Sequence, residues 1–449
     1  MKKMIERNYL VHNIELHSYI KNKYTVKDLN NLYGFLKSKG TFNFNKLETG
    51  LFSAAQLDEK NIHTNYDKVW VRDNIYIAYA HYVNGEYEIA RNTIFGIGNF
   101  FFKYKHKLSQ IIDGVKDYTE PMNRLHIRFD GVHLKELNEK WGHAQNDALG
   151  YYLWLLVKMA NENLIILRNQ ELELIPLFLS YFKKIEYWKD ADNGHWEETR
   201  KVNASSIGIV VGALVQLKIF LTENKNEQNI LKMVSHLLEQ VEDLFTYGTD
   251  ELNKILPYEC IQKGKNTYRE VDGALLFLIF PIILFEGVLD KSKEDEILQN
   301  IISNLQGEFG IKRYLGDSFW TANTKMKQSL SDITADYSDK IEERDKYHIL
   351  GEEAQWCIFD SIISVIYGRK FLQSGSDEHY EYQVHYFNRS LAQITGEDCI
   401  YGAFKCPELY YIEEGNYTYN DTVPLLWAQA NLWVTFKYMK DSILKHTGK

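Results

Sequence analysis

Apolar residues gather in long stretches separated by polar, aromatic-rich connections. Residues 145–160 (QNDALGYYLWLLVKMA), 205–221, 271–287, 351–369 and 422–440 each carry apolar positions over a length suited to a helix. Polar residues stand ahead of several of them: Asp73 before NIYIAYAHYV, Ser205 before IGIVV and Asp421 before TVPLLWAQ. A side-chain oxygen there can accept a backbone N–H that a helix start leaves orphaned. Asn84-Gly85 suits a left-handed helix end. Few segments alternate with period two, and only six prolines interrupt the chain, so long helices are the expected elements. No short repeat of the solenoid kind is evident.

Connections are predicted at 60–72, 118–144, 188–204, 256–270, 312–350 and 398–421, and charged and aromatic residues concentrate in them beside helix ends. That pattern suits paired helices whose loops converge on one face to form a site. One domain over residues 41–449 is expected, with residues 1–40 as an N-terminal helical appendage.

Composition narrows the partners. Hydrophobic residues make up 45% of the chain and charged ones 25%, values ordinary for a soluble protein with a substantial core. A net charge of −9 and a pI near 5.9 oppose nucleic acid or an anionic membrane as partner. Aromatic residues reach 14%, with 31 Tyr and 9 Trp. Sugar rings stack on such side chains, although an AT-rich genome produces much of the same excess. The four cysteines, Cys260, Cys357, Cys399 and Cys406, form no CxxC pair or metal-like spacing. The N-terminal stretch lacks the continuous apolar core of a signal peptide. The strongest apolar run, 274–285, is too short to cross a bilayer and contains Pro281. A soluble cytoplasmic protein is the expectation.

Five patches could carry chemistry. In Asp192-Asn193-Gly194-His195-Trp196-Glu197-Glu198, Asn-Gly makes a turn and an indole precedes two carboxylates. Desolvation by the indole and repulsion between the carboxylates both raise a carboxyl pKa, as a general acid requires. A helix start complemented by two acidic residues would read the same way. In Asn65-Tyr66-Asp67-Lys68-Val69-Trp70-Val71-Arg72-Asp73, the adjacent Arg72 and Asp73 could grip neighbouring sugar hydroxyls, with Trp70 as a stacking face. A capping Asp and a structural ion pair are equally consistent. Trp141-Gly142-His143-Ala144-Gln145-Asn146-Asp147 suggests close backbone approach at Trp-Gly, or simple capping. Arg313-Tyr314-Leu315-Gly316-Asp317 places a cation, a phenol and a carboxylate within five residues, as a surface ion-pair loop would. In Cys406-Pro407-Glu408-Leu409-Tyr410-Tyr411, ahead of Asn420-Asp421, Glu408 could polarise a water. Glu413 and Glu414 sit beside Gly415-Asn416 and look like a solvated turn, and His143 and His195 are isolated from other ligands, so no metal is expected.

The order and context of these patches resemble the glucoamylase family, glycoside hydrolase family 15, in wording closest to its phosphorylase-kinase-like branch. VWVRDN resembles that family's Trp-x-Arg-Asp motif and WGHAQNDALG its Trp-Gly-x-x-Gln-x-Asp motif; RLHIRFDG is similar to the branch's Ile-Arg-Tyr-Asp stretch. NGHWEE followed by NASSIG resembles the acid-bearing loop. KRYLGD and GEEAQW look like the Arg-Tyr-x-x-Asp and Gly-x-x-Trp stretches, and CPELYY before PLLWAQANL is similar to the base-bearing segment. The resemblance covers about residues 45–440.

It implies an all-α fold, an (α/α)6 barrel, and an inverting, exo-acting hydrolase of α-glucans or oligosaccharides that needs no cofactor. By the same resemblance Glu197 is the general acid and Glu408 the general base, roughly 6.5–9.5 Å apart. Arg72, Asp73 and Arg313 would hold the terminal glucose, Trp70, Trp141 and Trp196 would shape its pocket, and Glu198 would bind the sugar on the leaving-group side. Gln145, Asp147, Tyr314 and Asp317, which lie in the same motifs, join the substrate-binding set. Two departures stand out: Gly194 occupies a position where secreted fungal members carry an acid, and the spacing from Glu408 to Asn420 and Pro424 fits imperfectly. Nothing resembles the bacterial N-terminal β-sandwich or the fungal starch-binding module, so short soluble glucans are the expected substrates. The alternative implied by the branch is a catalytically silent glucan-binding or regulatory domain.

Overall fold

The computed structural model describes residues 9–56, 61–223 and 228–448. Within them lie α1 (Val26–Ser38), α2 (Val71–Val83), α3 (Tyr87–Lys103), α4 (Asn146–Asn161), α5 (Asn169–Lys184), α6 (Ala204–Glu223), α7 (Gln228–Ile255), α8 (Leu276–Ile279), α9 (Lys291–Leu305), α10 (Phe359–Ser374), α11 (Asp377–Ala392) and α12 (Leu426–His446). The even-numbered helices form a closed inner ring: α2 packs on α4, α4 on α6, α6 on α8, α8 on α10, α10 on α12, and α12 back on α2. Outside them, α3, α7, α9 and α11 each pack on the helix that precedes them, and α1 packs on α12. Between α3 and α7 lies α5, which reaches α4 through Phe178 against Tyr152. The architecture is the all-α (α/α)6 toroid.

Burial explains which helix goes where. An inner helix is covered on all sides, so it tolerates no polar stripe. The described helices include one, α6, that is long and apolar enough to cross a membrane, and most of it is buried inside the barrel. Glycines let α6 approach its neighbour closely. A Cβ on Gly208 would stand 2.4 Å from Leu278, and one on Gly212 2.3 Å from Ile282. By contrast α1 is one-sided, burying Leu29, Leu32 and Leu36 at helical spacing.

Several elements differ from the sequence expectation. The apolar run 271–287 holds only a 3-10 turn, Gly273–Leu275, and the single-turn α8. Phe280 is extended ahead of Pro281, because proline offers no N–H and its ring disfavours a helical residue before it. Helix α10 starts at Phe359, not near 351, and α12 at Leu426, just beyond Pro424. None of the three expected caps is one: Ser205 already lies inside α6, which starts at Ala204. Asp73 lies in the first turn of α2 behind the cap residue Trp70, and Asp421 instead binds His63, Lys325 and Tyr401.

Two small sheets also form, in the predicted connections except for one strand, Gln355–Trp356, which falls in the run 351–369 expected to be helical. One joins β1 (Val69–Trp70), β2 (Arg128–Asp130) and β3 (Lys135–Glu136); the other joins β4 (Gln355–Trp356), β5 (Leu409–Glu413) and β6 (Asn416–Tyr419). Both are antiparallel, with Trp70 opposite Arg128 and Gln355 opposite Tyr410. Strands of two to five residues show too little of a two-residue period to be read from sequence. These sheets sit where the inner helices begin, and they carry the residues described next.

Candidate active site

One cavity, of about 850 Å³ including its solvent-open part, lies at the N-terminal ends of the inner helices. From α2 and the strand before it come Trp70, Arg72 and Asp73; Trp141 precedes α4, and Trp196 and Glu197 precede α6. Arg313, Trp356, Glu408 and Trp427 complete the far side. The first turns of α2 and α12 face it directly, Arg72, Asp73, Leu425 and Trp427 all lining it, and present partial positive charge and free N–H groups that suit a site holding carboxylates.

The loop from Asp192 to Glu198 owes its shape to two left-handed residues, Gly194 (φ 61°) and Glu197 (φ 59°). For a residue with a side chain that conformation is uncommon and strained. Its effect is to send two consecutive carboxylates into different spaces: Glu197 lines the main cavity and Glu198 a neighbouring one. No helix begins at Glu197; α6 starts at Ala204. Glu197 Oε2 accepts hydrogen bonds from Trp70 Nε1 (3.3 Å) and Trp141 Nε1 (2.9 Å). Oε1 accepts none and lies 3.7 Å from Arg72 Nη1. Because an indole N–H can only donate, the proton of a neutral Glu197 belongs on Oε1. Burial raises the pKa of this carboxyl, with Arg72 and the indole opposing.

Glu408 is dressed differently. Its Oε1 accepts from the Tyr66 hydroxyl (2.9 Å) and its Oε2 from Asn420 Nδ2 (2.5 Å), so both oxygens are held by donors. Backbone bonds from Cys357 N to Glu408 O (2.9 Å) and from Glu408 N to Thr422 O (3.1 Å) fix it between the second sheet and the loop before α12. Burial raises its pKa to about 7 against those donors. Asp73 is also raised to about 7, chiefly by burial, with Arg72 opposing and Glu197 adding repulsion. Glu413 and Glu414 close the β5–β6 hairpin and do not line the cavity.

Five of the candidate binding residues stand behind the wall. Arg72 donates from Nε to Asp147 (2.8 Å) and from Nη2 to Gln145 (2.6 Å) and to the carbonyl of Gly194 (3.2 Å), so Asp147 and Gln145 aim the guanidinium. Asp317 holds Arg313 with two bonds of 2.7 Å, while Arg313 lies over Trp196 and Trp356 at 5.2 and 4.9 Å. Glu198 accepts from Arg313 (3.0 Å) and from the Tyr314 hydroxyl (2.5 Å) and pairs with Arg344. Burial would raise its pKa, but Arg344 and Arg313 outweigh that and hold it far below the usual carboxylate range. Trp196 donates to Asp272 (2.8 Å).

The close approach at Trp-Gly is real. A Cβ on Gly142 would meet Asn193 Cγ at 2.9 Å, and Asn193 is itself pinned by its 2.7 Å bond to the Glu198 carbonyl. Gly142→Ala is therefore expected to cost about 1–3 kcal/mol, measured by urea denaturation; an unchanged midpoint would show that the loop yields freely.

Some lining residues carried little sequence signal. Tyr66, Arg128, Trp356 and Trp427 lie inside motifs singled out above, but nothing in their letters fixed a role. Arg128 is buried with its guanidinium 4.1 Å from the Trp141 ring and 4.8 Å from that of Trp70. Arg344 and Tyr337 come from the 312–350 connection, where nothing distinguished them. His195 is a core histidine held by Tyr151 and Ser205 (both 3.1 Å), and burial lowers its pKa to about 3. Among the described residues no group of three or more His, Cys, Asp or Glu could hold a metal ion.

Comparison with known proteins agrees with this arrangement. The chain is 26% identical over 319 residues to a probable phosphorylase b kinase regulatory subunit alpha of Caenorhabditis elegans, a match covering 65% of this chain and 24% of that one. The chain thus spans about a quarter of the length of that curated relative. Among solved structures it superposes on a glycosidase variant in complex with glucose (TM-score 0.65, 14% identity, 94% of this chain and 99% of that). It also superposes on a bacterial glucoamylase complexed with acarbose (TM-score 0.58, 15% identity, 93% and 58%). At such identities these show the shared fold. The family described as "Glycosyl hydrolases family 15" matches residues 41–448, nearly the whole chain, and the protein belongs to it.

Proposed function

We propose that the protein is an inverting, exo-acting hydrolase that releases glucose from soluble α-glucans or oligosaccharides. One observation carries this: two carboxylates, distant in sequence, line one cavity in opposite dress, Glu197 with a bare Oε1 and Glu408 with both oxygens held by donors. Glu197 Oε1 gives its proton to the glycosidic oxygen as the bond from C1 breaks. Glu408 takes a proton from the water that attacks C1 from the opposite face, so the product emerges with inverted configuration. Arg72, Asp73 and Arg313 grip the hydroxyls of the terminal sugar, and Trp70, Trp141 and Trp196 bound its faces. Solved neighbours bound to glucose and to acarbose support a sugar in this cavity.

A panel of maltooligosaccharides, isomaltose and trehalose, with products resolved by anomer, tests the proposal. β-Glucose should appear first; α-glucose appearing first would rule out inversion. The pH profile has a determined sign. Glu408 must be ionised, so kcat/KM falls as pH drops below about 7. Glu197 must be protonated, so activity falls again as pH rises through its raised pKa. A rate that holds constant down to pH 4 would remove Glu408 from the role of base.

The relationship to a kinase regulatory subunit favours a second reading, a domain that binds glucan without cleaving it. Saturable oligosaccharide binding with no glucose released from any member of the panel would decide for it.

A further inference from the structure

The partition between the main cavity and its neighbour is built from side chains. Glu198 stands in it, with Oε1 shared by Arg313 and Arg344 and Oε2 taken by Tyr314. Arg344 belongs to residues 318–348, a segment with three one-turn helices, Thr324–Lys327, Leu330–Ile333 and Ile341–Asp345, that contributes Phe319, Tyr337 and Arg344 itself to the cavity lining. This strap is tied down on different sides of the mouth. Asn323 N bonds Ile412 O (2.8 Å), Asn266 Nδ2 bonds Glu342 (2.8 Å), and Lys140 pairs with Asp339 ahead of α4. Arg344 is only 6% exposed and its guanidinium is clamped from behind, Nε donating to Ser318 Oγ (2.9 Å), which in turn donates to Asp345 (2.6 Å). Beyond the partition the second cavity presents Arg269, Asn300, Asn304 and His348, all able to bond hydroxyls.

We propose that Arg344 sets the length of glucan the site can hold: clamped on Glu198, it closes the side of the cavity next to that carboxylate, and its removal joins the two cavities into a groove for a longer chain. This rests on the sugar-binding reading above. A buried, charge-assisted pair is stronger than any bond a neutral hydroxyl can offer in exchange, so an oligosaccharide cannot displace the guanidinium by itself. Glu198 Oε1, which accepts here from both Arg313 and Arg344, regains room for a sugar hydroxyl once Arg344 is gone, while Arg313 and Tyr314 hold the carboxylate in place.

The protein and its Arg344→Ala variant, each carrying Glu197→Gln so that maltoheptaose is not cleaved, are titrated with glucose and with maltoheptaose, following tryptophan fluorescence. In the parent, maltoheptaose binds no tighter than glucose. In Arg344→Ala its affinity relative to glucose rises about tenfold. Ser318→Ala, which loosens the same guanidinium without removing charge, moves the ratio in the same direction and serves if the first variant folds poorly. A ratio unchanged in both variants, with glucose still bound, overturns the role of Arg344 alone. If glucose binds to neither parent nor variant, the sugar-binding reading fails and this proposal fails with it.

Discussion

Glu197→Gln is expected to lower kcat for glucose release by roughly 10²–10⁴-fold while leaving the fold intact. The glutamine carbonyl can still accept the two indole N–H bonds that Oε2 accepts from Trp70 and Trp141, so the side chain keeps its place. What it loses is the proton at Oε1, and with it protonation of the leaving group. Substrates whose leaving group needs no proton, such as a glucosyl fluoride, should therefore lose far less. Steady-state rates on maltose and on the fluoride make the comparison, with circular dichroism as the check on folding. Equal losses on both would mean that Glu197 is not the acid, and full activity on maltose would remove it from the chemistry.

Glu408→Gln should lower the rate on a similar scale, yet make the protein more stable at alkaline pH. Its folded pKa of about 7 lies above the ordinary value of 4.5, so the native state binds this proton more tightly than the unfolded chain does. That linkage favours the fold fully below about pH 4.5 and is lost as pH rises through 7, where the ionised group sits buried. The swing is at most about 3 kcal/mol. Glutamine never ionises and escapes it. Calorimetry at pH 5 and pH 8 should show a gain in Tm for Glu408→Gln that is larger at pH 8. A gain of the same size at both values, or a loss at pH 8, would contradict the buried, proton-holding carboxyl.

The residues that sequence marked out are those whose chemistry is written locally. Trp70, Arg72 and Asp73 are near-consecutive at the start of α2, Trp196 to Glu198 are consecutive ahead of α6, and Trp-Gly at 141–142 signals a backbone contact that Asn193 makes. Which of them would face the cavity was not legible. Asp147 and Asp317 have the same letters as a sugar-binding acid, and only three-dimensional placement turns them toward Arg72 and Arg313. Arg344 joins Glu198 across 146 residues of chain, and nothing in a polar loop announces such a partner. Asp73 and Asp421, capping residues by position, were drawn away from capping by tertiary contacts. The helical scaffold was readable wherever apolar positions ran long. It failed at α8, where one proline cut a uniformly apolar run to a single turn.

The packing of α1 on α12 has a consequence for how the ring closes. Helix α1 finds its partner only in α12, residues 426–446, with every other helix of the ring lying between them in sequence. Neighbouring hairpins can assemble locally, but the circle stays open, with the apolar flanks of α1 and α2 uncovered, until α12 docks on both. Closure therefore has to meet the loop entropy of its longest-range contacts before those contacts reward it.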